Sequence, residues 1–409
     1  MKNFSNNNID VIVLALPRWE GTYSSTSFSF AKELSRNNRV FYIDNPYTFK
    51  DFLQLRKTPA ILKRKKALLY GKSNYFKIDD EYPNLTGVVT KLTLPVNFLK
   101  KGSLYNTLSG LNDKIVFSAI RKLIKDYNIK NFIYINSFNP FYGIDFPKDI
   151  NPELKIYQSV DEIRGEPYIA RHGVYLENEI VRKYNFTITT SKELARLKSS
   201  VSKYVYYLPN AADINIFKKA LDPDIKKPKE IENVNRKIIG YTGNIGLRID
   251  YELLKKTAQT HKDKVLLMVG PKDKLNFTDN GLDKLENVIF TGSKNILELP
   301  SYLKYIDCAI IPFEKTELTK SIYPLKINEY LAAGKPVVMT DFSDLSEFSN
   351  VAYISGTQEE FLSDIQSAID TDSSDKVSQR VKTAEGNTWE SRVIQFWQFV
   401  EEYLNTIQS

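Results

Sequence analysis

The chain has 409 residues, 42% hydrophobic and 12% aromatic, which excludes a disordered polymer and predicts more than one packed core. Its single cysteine, Cys308, excludes an intrachain disulfide and fits a reducing compartment. The 57 basic and 49 acidic side chains give a formal charge of +8; this suits an anionic partner, but no RNA- or DNA-binding motif accompanies it and nucleic acid is not expected. No apolar run reaches the length of a membrane span, and residues 1–8 have no signal-peptide apolar segment, so a cytosolic protein is expected.

The first strand is predicted at Ile9–Leu16, a near-continuous apolar run of the kind that buried parallel strands show. A helix from about Ser25 and a strand at Arg39–Asp44 follow. Residues 56–72 then form a basic run, Arg-Lys-Thr-Pro-Ala-Ile-Leu-Lys-Arg-Lys-Lys-Ala-Leu-Leu-Tyr-Gly-Lys, interrupted by Ile61, Leu62, Leu68 and Leu69. It reads either as a helix lying on an anionic membrane surface or as a solvated loop and helix. Further strands are predicted at Val88–Leu94, Asn131–Asn136, Lys155–Ser159, Phe186–Thr190 and Tyr204–Leu208, with helices at Ser103–Tyr127 and Val174–Tyr184 between several of them. Such alternation predicts a doubly wound α/β sheet.

Between Lys218 and Lys237 the pattern lapses into a charged, proline-bearing stretch, read as a linker or an excursion near a domain boundary. A second alternating series begins with strands at Ile238–Thr242, Val265–Val269, Val288–Thr291, Cys308–Phe313, Val337–Thr340 and Val351–Ile354. A final helix is predicted over Trp389–Tyr403, with Trp389, Phe396, Trp397 and Tyr403 at core-like spacing.

The segment from Pro324 to Val338, Pro-Leu-Lys-Ile-Asn-Glu-Tyr-Leu-Ala-Ala-Gly-Lys-Pro-Val-Val, predicts a short helix that stops abruptly and hands over to a buried strand. Pro324 suits the first helical position, Gly334 a left-handed C-cap, and Pro336 forbids continuation. Lys326 and Glu329 share a face near the positive N-terminal end. A lysine there adds a full charge to a natural phosphate site, and a carboxylate one turn on can accept two hydrogen bonds from a ribose diol. The pair outlines a nucleotide-diphosphate site.

This segment resembles the donor-binding helix of GT-B glycosyltransferases, in particular the retaining group 1, or family 4, enzymes, whose helix carries E-A-x-A-x-G-x-P-V-V. Here it is Glu329-Tyr330-Leu331-Ala332-Ala333-Gly334-Lys335-Pro336-Val337-Val338. The form Ser321 through Ala332, S-x-x-P-x-K-x-x-E-Y-L-A, is similar to the branch containing teichuronic-acid and other surface-polysaccharide transferases. The resemblance implies two Rossmann-like domains facing a central cleft, with the C-terminal helix crossing back to the first. The boundaries expected are 1–212 for the acceptor domain, 213–387 for the nucleotide-sugar domain and 388–409 for the returning helix.

It also implies a site. Gly243, Asn244 and Arg248, in the turn Gly240-Tyr241-Thr242-Gly243-Asn244-Ile245-Gly246-Leu247-Arg248, are donor-binding candidates with Lys320, Ser321, Lys326 and Glu329. The turn is not G-x-G-x-x-G, so a dinucleotide fingerprint is not supported. Ser321 stands where the broader family has a second glutamate, eight residues before Glu329, so the identity of the sugar does not carry over. Trp19, Gly21 and Thr22, after the first strand, are candidates for acceptor contact. Asp161 of the pair Asp161-Glu162, His172 and Lys326 are the catalytic candidates; for Asp161-Glu162 the bland alternative is a helix-capping turn. His261 is expected to be exposed. The one D-x-D match, Asp222-Pro223-Asp224, lies in the charged stretch, so no metal and no cofactor is expected.

The activity implied is transfer of a sugar from a UDP- or GDP-linked donor to a glycan or lipid-linked acceptor, on a cytoplasmic protein that is peripheral to the membrane if residues 56–72 bind lipid. Two other readings stay open: a sugar-nucleotide epimerase of the same fold, and a catalytically inactive nucleotide-sugar-binding subunit.

Overall fold

A computed structural model describes residues 9–20, 25–165, 167–278 and 280–408. The chain forms two compact units. The first comprises residues 1–209 together with 392–409, and the second residues 210–391.

The first unit is built on an eight-stranded sheet. Its strands are β1 (Asp10–Ala15), β2 (Val40–Ile43), β3 (Tyr75–Lys77), β4 (Leu85–Val88), β5 (Phe132–Ser137), β6 (Leu154–Ser159), β7 (Phe186–Thr189) and β8 (Val205–Tyr207). Their order is β3-β4-β2-β1-β5-β6-β7-β8. All pairings are parallel except β3 with β4. The six residues of β1 are buried without exception, as a central strand covered by helices on both faces requires. Ser25 caps the first helix, Thr26–Leu34, by accepting from Phe28 N at 3.2 Å.

The predicted strand at Val88–Leu94 is displaced. The sheet is joined by Leu85–Val88, where Gly87 leaves room for Trp19; a Cβ there would stand 3.0 Å from Cη2 of the indole. Residues 89–94 continue without strand pairing, apart from a single bridge between Thr48 and Thr93. The last helix, Trp389–Gln408, adds its residues from Arg392 onward to this unit. There Phe396 meets Phe30 edge-on, and Tyr403 packs on Phe186 and Tyr204.

The second unit carries six parallel strands: β9 (Ile238–Thr242), β10 (Val265–Val269), β11 (Val288–Gly292), β12 (Cys308–Ile311), β13 (Val337–Thr340) and β14 (Tyr353–Ser355). They are ordered β11-β10-β9-β12-β13-β14. Chain direction across the sheet reverses between β9 and β12, and the crevice beyond the carboxyl ends at such a switch point is where open α/β sheets bind ligands. In the first unit the same reversal falls between β1 and β5. The charged stretch after Lys218 is no free linker. Ala220 and Ile231 join the second core, and Lys304 Nζ holds the carbonyl of Asp222 at 2.6 Å.

The helix Leu325–Ala332 starts one residue later than the sequence suggests, because Pro324 is extended (φ −75°, ψ 123°) and stands at the N-cap. Its end is a Schellman motif: Gly334 N donates to Leu331 O and Lys335 N to Tyr330 O, both at 2.9 Å, with Gly334 at φ +70°. A Cβ at Gly334 would lie 2.9 Å from Cγ1 of Val377 and 3.1 Å from Cδ2 of Leu221. Gly334→Ala is therefore expected to destabilise the second unit by about 1–2 kcal/mol, from left-handed strain and crowding together. The check is a urea titration, in which the midpoint of that unit's transition falls while its slope is kept.

Candidate functional site

The chemistry-bearing side chains of the second unit gather at the β9/β12 switch point. Beyond β9 the backbone turns at Gly243, whose φ is +133°, a conformation open to glycine and strained for other residues. Gly243 N donates to Val269 O at 2.8 Å, and Ile245 N to Pro271 O at 2.9 Å, so the turn is pinned to the chain leaving β10. The two segments approach so closely that a Cβ on Gly270 would stand 1.9 Å from Gly243 O.

Lys326 lies on this turn. A Cβ at Gly243 would meet its Cε at 2.4 Å and its Nζ at 2.5 Å, so the glycine makes the space that the lysine fills. The ammonium is 5.4 Å from the centroid of the Tyr241 ring. Tyr330 fixes the helix above it: its hydroxyl accepts from Thr242 N at 2.9 Å, the last residue of β9. Burial pushes the Lys326 pKa down, Glu329 one turn on pulls it back, and the Arg248 guanidinium lowers it further. Burial raises the Glu329 carboxyl, against the pull of Lys326. Among the described residues neither side chain makes a hydrogen bond or a close ion pair, although both are partly buried. Two opposite charges held half out of water without bonding to each other are groups poised for a third party.

Around them, Arg248 and Asn244 are exposed on the turn, and Tyr241 Oη donates to the Asn244 carbonyl at 2.9 Å. Lys320 is exposed at the end of the short helix Glu317–Lys320, and its carbonyl accepts from Ser343 Oγ at 2.9 Å. Ser321 is buried, and its hydroxyl is directed at Glu317 O, 3.5 Å away. It lines the support of the site more than its surface.

In the first unit the candidates separate. Trp19 is buried, packed on Tyr42 and Phe76, with the Arg64 guanidinium 4.5 Å from its ring. Gly21 and Thr22 lie outside the described residues. Asp161 is half-buried in the bend after β6. Glu162 accepts from Arg164 N at 3.1 Å, the geometry of a turn cap. His172 is 1% exposed, stacked on Tyr105 at 3.9 Å, with Nδ1 on Tyr175 Oη and Nε2 on the Leu99 carbonyl. Both ring nitrogens are engaged, which is the setting of a structural histidine and corrects its expected place among the catalytic groups. His261 is also buried, its Nε2 on Leu362 O at 3.1 Å, where exposure was expected.

The sequence reading missed the polar groups around Trp19. Arg64, 1% exposed, pairs with Glu20 at 2.6 Å and approaches Asp44 at 3.7 Å. Asp44 follows β2, accepts from Trp19 N at 3.2 Å, and is pushed by burial to a pKa of about 7. The basic run around Arg64 masked it, because nothing in residue type separates the one inward arginine from its outward neighbours. Among the described residues no cluster of three or more His, Cys, Asp or Glu side chains has the arrangement of a metal site.

The signs of the two shifts give a test. A lysine whose folded pKa is depressed costs stability below that pKa, and a carboxyl whose folded pKa is raised costs stability above it; at neutral pH both apply. The double variant Lys326→Met, Glu329→Gln is therefore expected to raise the melting temperature of the ligand-free second unit by about 2–4 °C, equivalent to roughly 1 kcal/mol. Differential scanning calorimetry measures it, and a lowered melting temperature would refute the reading.

Residues 236–370 match the family model of the glycosyl transferases group 1. The chain is 30% identical over 198 residues to TuaH of Bacillus subtilis (strain 168), named as a teichuronic acid biosynthesis glycosyltransferase. That match spans 48% of this chain and 44% of TuaH, so the chain covers less than half of its relative's length. Among solved structures it is similar to a sucrose-phosphate synthase from Thermosynechococcus elongatus, with a TM-score of 0.64, 13% identity, and 97% and 100% of the two chains covered. It is also similar to Alr3699/HepE of Anabaena, solved in complex with UDP, with a TM-score of 0.63, 12% identity, and 96% and 100% covered. The chain thus has the GT-B fold, and residues 236–370 of its second unit are similar to the group 1 glycosyl transferases.

Proposed function

We propose that this protein transfers a sugar from a nucleotide-diphosphate sugar to a glycan or lipid-linked acceptor, in the making of a surface polysaccharide. The observation that carries the reading is Lys326 laid over Gly243 at the β9/β12 switch point, with Glu329 one turn further along the same helix. The segment that holds both matches group 1 glycosyltransferases, TuaH is named for polysaccharide biosynthesis, and the HepE structure contains UDP.

In this reading the diphosphate lies across the Gly243 turn. Its charge is met by Lys326, by Arg248, and by the backbone N–H groups that open the helix. Glu329 accepts hydrogen bonds from the ribose hydroxyls. As the bond between the anomeric carbon and the diphosphate breaks, negative charge grows on the leaving oxygen, and the Lys326 ammonium stabilises it. An ammonium and a guanidinium supply this stabilisation without a bound cation, and turnover is expected to survive a chelator. Retention of the anomeric configuration follows from the family resemblance, and proton NMR of the product's anomeric signal decides it.

A second reading has one observation in its favour. Ser321, buried and aimed at Glu317 O, replaces a charged residue of the family pattern, as in a subunit that binds a nucleotide sugar and transfers nothing. Nucleotide release upon adding acceptor separates the two.

The residue 49–72 region offers a surface for the acceptor's lipid. The helix Phe49–Leu55 buries none of its residues. In the helix Pro59–Tyr70, Ile61 and Leu68 face inward with Arg64, not outward as the expected lipid-binding face would have them. Outward stand Leu53, Leu55, Leu62 and Tyr70, 39–66% exposed, among the exposed bases Arg56, Lys57, Lys63, Lys65 and Lys66. Apolar groups ringed by cations suit an anionic bilayer surface. Among the described residues no helix is long and apolar enough to cross a membrane.

Three outcomes are expected. In a thermal-shift screen of nucleoside diphosphates, one base stabilises the wild type, and Glu329→Ala removes the shift while Lys326→Ala lowers turnover as well. Because the Glu329 carboxyl sits above the ordinary carboxylate range of about 4.3, nucleotide affinity falls on acidification before an unperturbed carboxylate would protonate; isothermal titration across pH 5–8 follows it. Reversing the charges of Lys63, Lys65 and Lys66 to Glu should cut co-sedimentation with phosphatidylglycerol vesicles several-fold without changing the nucleotide shift.

A further inference from the structure

The second unit has a cavity of about 660 Å³ at the end of its sheet remote from Gly243. It lies where three adjacent strands begin: Ile238 opens β9, Asp307 precedes β12, and Lys335 and Pro336 precede β13. Five cations line it, Lys227, Arg236, Lys237, Lys304 and Lys335, against the carboxylates of Asp307 and Asp372. Both carboxylates are already occupied. Asp307 takes Lys237 Nζ and Ile238 N, each at 2.8 Å, and Asp372 takes Arg380 at 2.6 Å.

The other four cations rest on neutral carbonyls. Lys227 donates to Val234 O at 2.5 Å, Arg236 to Lys262 O at 3.1 Å, Lys304 to Asp222 O at 2.6 Å, and Lys335 to Lys304 O at 2.8 Å. An ammonium has three protons and a guanidinium five, so each retains donors beyond these bonds. Four cations whose hydrogen bonds go to carbonyls, converging on one concavity from separate segments, concentrate positive potential there. The volume fits a small molecule.

We infer that this cavity is a second ligand site, for a compact phosphorylated anion such as a diphosphate or a phosphate monoester. Phosphate oxygens match the geometry: several acceptors and at least two charges within the reach of Lys304, Lys335 and Arg236. Lys335 reports on occupancy. Burial lowers its pKa to about 8; Asp307 and Asp372 pull it up, and Arg380 and Lys304 push it down. A bound anion raises it again, so binding at pH 8 takes up protons, and affinity falls as the pH rises past that value. The inference stands apart from the donor reading, since it uses none of the groups at Gly243.

The test is isothermal titration of the full chain with inorganic pyrophosphate and, separately, with glucose 1-phosphate, in the Lys326→Ala background to silence the donor site. Binding is expected at submillimolar concentration, weakened by added salt. At pH 8 its apparent enthalpy should depend on the ionisation enthalpy of the buffer. Arg236→Gln, at an exposed position, should weaken binding about tenfold, and Lys335→Gln should also abolish the buffer dependence. Binding of both ligands supports a general phosphate site, and binding of pyrophosphate alone supports the inorganic anion. Binding of neither at millimolar concentration, or affinity unchanged in Arg236→Gln and Lys335→Gln, overturns the inference.

Discussion

The candidate site depends on one close approach, that of Lys326 to Gly243. A helix presents a lysine to the turn after β9 only if three things hold together. The turn must have no side chain at the point of contact, the helix must be held at the right height, and it must end soon enough for the chain to enter β13. Gly243 meets the first condition, since a methyl group there would occupy the place of the lysine's own Cε and Nζ. Tyr330 meets the second by bonding the backbone of Thr242. The Schellman motif at Gly334 meets the third, reinforced by Arg380, which donates to the Gly334 carbonyl at 2.8 and 3.0 Å.

The arrangement is costly to the empty protein. Lys326 and Glu329 are each taken partly out of water, and each has its pKa moved toward the neutral form. A pair selected for stability would close into a salt bridge or be replaced by apolar residues of the same size. In the proposed function, keeping the two apart leaves the ammonium for a phosphate and the carboxylate for a diol. The cost in the free state is recovered when a ligand brings the missing partners. The same logic separates Ser321 from these two. Buried and turned toward a carbonyl of its own helix, it holds no charge that a ligand must satisfy.

Much of this was legible in the sequence, and the reason is local. Parallel strands buried on both faces are continuous apolar runs, so Ile238–Thr242, Val265–Val269 and Val337–Thr340 stand out with their bounds intact. The helix between Pro324 and Gly334 is punctuated at both ends by residues with one backbone preference each. What could not be read depends on contacts distant in sequence. The edge strand Tyr75–Lys77 has three residues and exists only through its pairing with Thr86–Val88. His261 sits in a polar stretch and His172 beside Arg171, yet each is buried with a ring nitrogen on a carbonyl 101 or 73 residues away. Arg64 is one basic residue among several, and only the position of Trp19 and Asp44 turns it inward.

That last group shows the same physics at work in the first unit, at the carboxyl ends of its own central strands. Arg64 is almost wholly buried, and among the described residues its Nε and Nη2 and the Oδ2 of Asp44 have no hydrogen-bond partner. Glu20, which follows β1, and Asp44, which follows β2, share this one guanidinium. Burial raises the Asp44 carboxyl to about 7, and the pull of Arg64, whose close contact is with Glu20, only partly offsets it. Arg64 belongs to the helix whose outer face carries Leu62, Lys63, Lys65 and Lys66. One side chain thus ties the helix that carries this exposed basic face to the segment leaving β1, by an ion pair that adds to the apolar anchors Ile61, Ala67 and Leu68 of the same helix.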